Sequence, residues 1–216
     1  MSIHAELKQV STSTLELLKH DLCLIDIFFT ASWSPQSAFA QNGDEYDWEL
    51  LETQFLDEWE IRELDLNKSF RQLNLLLAGY VPGNSSARWT VLELETLSSQ
   101  IRSDFLPFLV IENSQWDGLP LVNAIGAGTE LDYDIGYGAL RYLMPNEVEQ
   151  VLDGLQRVSD SGFQERFRHM PQQVLPFPWD DWSEEVLEGL TNYYSEMVNY
   201  YEDASTNQRA MLLYLT

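Results

Sequence analysis

Thr129, Glu130, Asp132 and Asp134 lie between two Gly-x-Gly pairs, Gly126/Gly128 and Gly136/Gly138, and Arg141 follows the second pair. Carboxylates close to a guanidinium can supply a general acid, a general base and an anion anchor in one place, provided the fold gathers them. His169 and Asp180, from later segments, extend the set. The candidate catalytic residues are therefore Glu130, Arg141 and His169, and the candidate ligand contacts are Thr129, Glu130, Asp132, Asp134, Arg141 and Asp180. Each also has a structural use: Glu130 can cap a helix end, Arg141 can pair with a nearby carboxylate, and His169 can sit at the surface near Pro171.

Cofactor patterns do not fit this stretch. A dinucleotide fingerprint needs glycine where Leu131 or Arg141 stands, and no Walker lysine occurs. Asp132-Tyr-Asp134-Ile-Gly136 opens like a calcium loop but lacks the third ligand, the glycine in register and the closing glutamate. Zinc needs clustered ligands, whereas Cys23, His4, His20 and His169 are scattered; a metal held by carboxylates alone stays open. Cys23 lies inside the apolar run LCLIDIFF, where a thiol is usually inert core, and no Gly-x-Ser-x-Gly elbow occurs. No cofactor and no metal is expected. The four glycines read first as a tight crossing that lets backbones approach closely, and second as the rim of a polar pocket.

The elements that must position these groups follow from periodicity. Residues 2–10 alternate as a strand with one buried face, and Ser11 to Thr14 can cap a short helix that ends near Asp21, with His20 in its last turn. Leu22 to Phe29 fits either a buried strand or a core helix, and Thr30 to Gly43 reads as a loop. From Asp44 to Asp65 ten carboxylates face one arginine. There Trp48, Leu51, Leu56 and Trp59 suit one helical face with the acids on the other. A helix is expected over Leu64 to Gly79, a loop over Tyr80 to Arg88, a helix over Trp89 to Ile101, and a strand or buried connection over Phe105 to Ile111. Pro145 opens a helix, Ser161 can cap another, and Gln172 to Trp182 is an extended link. Asp181 and Glu184 can box the start of a long helix with Leu187, Leu190, Tyr194, Met197, Tyr201 and Ala204 on one stripe, and Ala210 to Leu215 closes the chain as a strand.

Charge decides which partners are plausible. Thirty-five acidic against 12 basic side chains in 216 residues give a net of −23, which repels nucleic acid and anionic membrane surfaces and steers cationic partners inward. The candidate partner contacts are Tyr46, Trp48, Trp59, Glu184 and Glu188, with the bland counterpart of an acidic surface that only keeps the protein in solution. The longest apolar run is far short of the ~20 residues a membrane helix needs, and the first ten residues do not pattern as a secretory signal. With a single cysteine, a reducing cytoplasm fits.

Several strings are specific as a set: LDLNKSFRQLNLLLAG at Leu64 to Gly79, NAIGAGTEL at Asn123 to Leu131, GYGALRYLMPNEV at Gly136 to Val148, PFPWD at Pro176 to Asp180, and the ending MLLYLT. With the opening strand and its capped helix, they resemble the YfbM-like family of bacterial proteins of unknown function. The resemblance is weakest around 30–61 and 80–116, which read as variable insertions in one domain spanning 1–216. Where the family's first long helix usually carries Trp and His, this chain has Phe70 and Asn74. The resemblance implies a compact α+β domain, mostly helical, with a small mixed or antiparallel sheet that includes the N- and C-terminal strands. It implies no activity. The expected function is a non-catalytic acidic binding or regulatory protein for a basic protein partner, of which an immunity-type inhibitor is one form. The alternative is a small-molecule site or enzyme at 126–141.

Overall fold

The two ends of the chain pair with each other. β1 (Ala5–Val10) runs antiparallel to β7 (Ala210–Leu215) along its whole length, from Ala5 opposite Leu215 to Val10 opposite Ala210. β2 (Leu64–Asp65) adds to β1, and β6 (Gly138–Leu143) and β5 (Thr129–Ile135) extend the sheet beyond β7, giving the order β2-β1-β7-β6-β5 with every pairing antiparallel. A separate two-stranded sheet joins β3 (Tyr80–Pro82) and β4 (Phe108–Val110). This computed structural model describes residues 3–33, 55–78, 80–82, 108–110, 121–126, 128–168 and 182–216. Among the described residues the α-helices are α1 (Thr12–His20), α2 (Cys23–Trp33), α3 (Phe70–Ala78), α4 (Pro145–Arg157), α5 (Asp160–Arg168) and α6 (Glu184–Thr206), with a further helical turn at 55–59. The fold is α+β. Among the described residues no helix is long and apolar enough to cross a membrane.

Both faces of the sheet are covered. Ala5, Leu7, Leu143, Met211 and Leu213 face a core supplied by α3, α4, α5 and α6, while Val10, Leu131, Leu140, Leu212 and Tyr214 face α1, α2 and Phe55. The single buried face expected of β1 is therefore corrected to two: Lys8 and Gln9 are buried as fully as their apolar neighbours. Lys8 is accommodated by donating to the Ile61 carbonyl at 2.6 Å and lying 3.7 Å from Glu63. Burial lowers the Lys8 ammonium pKa and raises that of the Glu63 carboxyl.

Helix starts follow local chemistry. Ser11 Oγ accepts from Thr14 N at 3.1 Å to start α1, and Pro145 opens α4 while Glu147 reaches back to accept from Met144 N at 2.7 Å. One expected cap is corrected: Ser159, not Ser161, caps α5 by accepting from Gly162 N; Ser183 caps α6 by accepting from Val186 N, while Asp181, expected in that role, lies outside the described residues. The ambiguous Leu22 to Phe29 run is a helix that continues through Trp33, into the stretch expected to be a loop. Cys23 sits in its first turn and is exposed, correcting the expectation of a core thiol.

Leu64 to Gly79 is not one helix. Asp65 Oδ1 accepts from Asn67 N at 2.6 Å, which turns the backbone and holds Asn67 at φ 51, so α3 begins only at Phe70. Tyr80–Pro82, expected to open a loop, is β3. Phe70, Leu73, Leu76 and Leu77 form the buried stripe, and Asn74 lies fully buried among them, both its amide atoms without a hydrogen-bond partner among the described residues. The stripe expected on α6 is buried as read. The helix expected at 89–101 lies outside the described residues.

Candidate functional site

β5 and β6 form a hairpin whose turn needs glycine. Gly136 has φ 58, and a Cβ there would come 2.2 Å from the Leu215 carbonyl oxygen. Tyr137 N donates to that same oxygen at 2.9 Å, which seats the turn on the C-terminal strand. At the other end, Gly128 has φ 94, and its Cβ would meet the Tyr142 carbonyl at 2.7 Å. Gly128 and Gly136, two of the four glycines so read in the sequence, thus permit close backbone approach.

The hairpin register places Glu130 directly opposite Arg141, with an irregularity between Glu130 and Asp134. Arg141 is 3% exposed. Its Nη2 donates to Glu130 Oε2 at 3.0 Å and its Nη1 to the Gly128 carbonyl at 3.3 Å, so one guanidinium ties both strands and the turn before them. Thr129, Asp132 and Asp134 are exposed along β5. The cavity next to Arg141, bounded by Gly126, Tyr137 and Leu213, has about 10 Å³, room for about one water. Among the described residues no three His, Cys, Asp or Glu side chains group as a metal site. His169 and Asp180 lie outside the described residues, as do Tyr46 and Trp48.

The other candidate surface is the outward side of α6. Glu184, Glu185, Glu188, Glu196 and Glu202 are all exposed there, opposite the buried stripe. Arg168 grips Glu184 in a two-pronged pair, both contacts 3.1 Å, and holds the Glu184 carboxyl below its ordinary pKa. Among the described residues Glu185, Glu188 and Glu202 have no ion pair. Trp59, the aromatic partner candidate that the structure places, is committed internally: its Nε1 donates to the Phe28 carbonyl at 3.0 Å and its ring packs on Phe55.

A matching family description covers residues 1–214: Domain of unknown function (DUF1877). The chain belongs to the DUF1877 family. A solved structure similar to it is "a Protein of Unknown Function YfbM from Escherichia coli", at 13% identity and TM-score 0.50, covering 100% of both chains; at that identity the likeness speaks for the fold alone. No curated protein matches. The DUF1877 assignment agrees with the resemblance carried by the sequence strings, and it attaches no activity.

Sequence reasoning missed Glu58. In the acidic run the carboxylates read as a solvated face, yet Glu58 is 4% exposed. Its oxygens accept from Ser11 N at 3.0 and 3.2 Å, from Thr14 Oγ1 at 3.0 Å and from Arg209 Nη1 at 3.0 Å. A signal for it existed: Glu58 follows the buried Phe55 by three residues and adjoins Trp59, which puts it on the apolar side of that turn.

Proposed function

We propose that this protein is a non-catalytic binding or regulatory protein that receives a basic protein partner on the outward face of α6, an immunity-type inhibitor of a cationic protein being the most specific form. The observation that carries the reading is that face: five exposed glutamates on one 23-residue helix, in a stretch from Arg168 to Arg209 without an intervening lysine or arginine. A chain with a net charge of −23 draws cations from a distance and gives orientation to the encounter through whichever face concentrates the charge.

Affinity capture with the tagged protein in its native cells tests this. A basic protein should co-purify and be released as salt rises toward 1 M, where the screening length falls to ~3 Å. The Glu185→Gln/Glu188→Gln/Glu202→Gln variant should capture less of it. Absence of a partner, or one whose retention ignores salt, overturns the reading. A small-molecule or catalytic site at 126–141 has the part-buried Arg141–Glu130 contact in its favour, and a cavity of about 10 Å³ beside it against. Melting shifts across a metabolite panel that vanish in a Glu130→Gln/Arg141→Lys variant would revive it.

A further inference from the structure

An open cleft of about 330 Å³ runs between the C-terminal half of α6 and residues 61–64. That is large enough for a small ligand or a long side chain. Ile61 and Leu64 give it an apolar wall, and Glu196, Asn199 and Asp203 of α6 give it a polar one. Gln9 and Tyr200 also line it, held by a set of hydrogen bonds. The Tyr200 hydroxyl accepts from Gln9 N at 3.0 Å and stands 3.1 and 3.0 Å from the carbonyl oxygens of Leu7 and Arg62, while Gln9 Nε2 donates to the Tyr200 carbonyl at 3.0 Å. Burial pushes the Tyr200 phenol well above its ordinary pKa, so it stays a donor.

That arrangement leaves one atom unsatisfied. Gln9 is 1% exposed, its amide nitrogen is committed, and its Oε1 has no hydrogen-bond partner among the described residues. A buried oxygen in this condition calls for a donor. The polar wall offers carboxylates, from Glu196 and Asp203, and the Asn199 amide. The cation already at the rim is Arg62, 81% exposed, with Nη2 3.6 Å from Glu196 Oε2. An exposed pair at that distance contributes little and exchanges readily for an incoming cation.

We propose that this cleft takes one alkylammonium or guanidinium group, presented as a lysine or arginine side chain of the basic partner. The inference rests on the binding reading above and names the contact that reading lacks. The aliphatic stem lies along Ile61 and Leu64, the charged head meets Glu196 and Asp203, and its donors supply Gln9 Oε1. Two things favour a protein side chain over a free amine: the cleft is open, and Glu196 belongs both to it and to the acidic face of α6.

The test is an NMR titration of the full ¹⁵N-labelled chain with N-acetyl-arginine amide, N-acetyl-lysine amide, neutral N-acetyl-citrulline amide and putrescine. The side-chain amides of Gln9 and Asn199 should shift with the two cationic amides and stay still with the citrulline control. Glu196→Gln/Asp203→Asn should weaken binding about tenfold or more, as loss of charge-assisted hydrogen bonds does, while Glu185→Gln/Glu188→Gln changes it by less than about twofold. Equal response to citrulline, shifts scattered along α6, or shifts with putrescine alone overturn the proposal, the last by marking a free-amine site. The two readings fail separately. Silent Gln9 and Asn199 signals beside salt-sensitive capture of a partner sink only the cleft, whereas absence of a captured partner sinks the reading beneath it.

Discussion

Glu58 joins three segments through one carboxylate: the start of α1 through Ser11 and Thr14, its own helical turn, and the α6–β7 connection through Arg209. Removing one member of a buried, hydrogen-bonded charge pair leaves the others unmatched, and the usual cost is about 3–5 kcal/mol. Glu58→Ala should therefore lower the free energy of urea unfolding by that order, seen as an earlier midpoint, and Glu58→Gln, which keeps an acceptor, by less; equal midpoints for wild type and Glu58→Ala would show the contact idle. Gly136 is the backbone counterpart. Its left-handed φ and the 2.2 Å approach to the Leu215 oxygen leave no place for a methyl. Gly136→Ala should cost roughly 2–5 kcal/mol, from strain plus overpacking, read as a lowered melting temperature. The two residues differ in how far the sequence announces them. Glycine density pointed to Gly136 directly, because few other roles need that residue. Glu58 was one carboxylate among ten, and only its spacing from Phe55 set it apart.

At the scale of elements, α6 holds the α4 side of the molecule together through its tyrosines. The Tyr194 hydroxyl lies 2.7 Å from the Leu155 carbonyl and 2.5 Å from that of Val158, so it supplies a donor to the C-terminal end of α4, while its ring stacks on Phe163 of α5. Burial pushes this phenol up to about 12, so it remains a donor at any pH the fold meets. Tyr194→Phe keeps the stacking and strips the donor, and should cost about 1–3 kcal/mol in urea unfolding, with faster amide exchange in the last turn of α4 as the local sign. Unchanged exchange there would mean water replaces the hydroxyl. The α6 stripe was legible because six apolar positions repeat at helical spacing from Leu187 to Ala204, β1 because its residues alternate, and β7 because it is a short apolar run. Two failures have physical causes. LCLIDIFF carries apolar residues at nearly every position, so periodicity cannot separate strand from helix. The stretch from Leu64 looked continuous because an Asx turn at Asp65 and a left-handed Asn67 interrupt a helix without any glycine or proline to mark the break. The candidate hairpin was legible as backbone geometry, but the Arg141–Glu130 pairing depends on strand register, which the sequence left open.

For the whole molecule the dominant quantity is the net charge of −23. Like charges on a folded surface repel one another more than on an expanded chain, so the charge lowers stability and added salt should restore it. The half-buried Glu63 acts in the same direction. Glu63 is raised above its ordinary value, first by burial, with Lys8 opposing and Glu6 reinforcing. Between the unfolded and folded pKa values the native state binds the extra proton, so stability falls as pH climbs from about 4.5 through the folded value. Glu63→Gln should flatten that part of the stability–pH profile; an unaltered slope would place the loss on other carboxylates. The outward face of α6 ties this cost to function. If Glu185, Glu188 and Glu202 are held there for a basic partner, neutralising them should raise the melting temperature at low salt by a few degrees, about what 1 kcal/mol gives in a chain of this size. The gain should shrink toward zero in about 0.5 M salt, where surface charges are screened. The same Glu185→Gln/Glu188→Gln/Glu202→Gln protein should retain less partner in capture. Stability gained together with binding lost would mark the acidic face as a functional feature held against the fold's own preference, whereas a stabilised variant that captures its partner undiminished would separate the charge from the function.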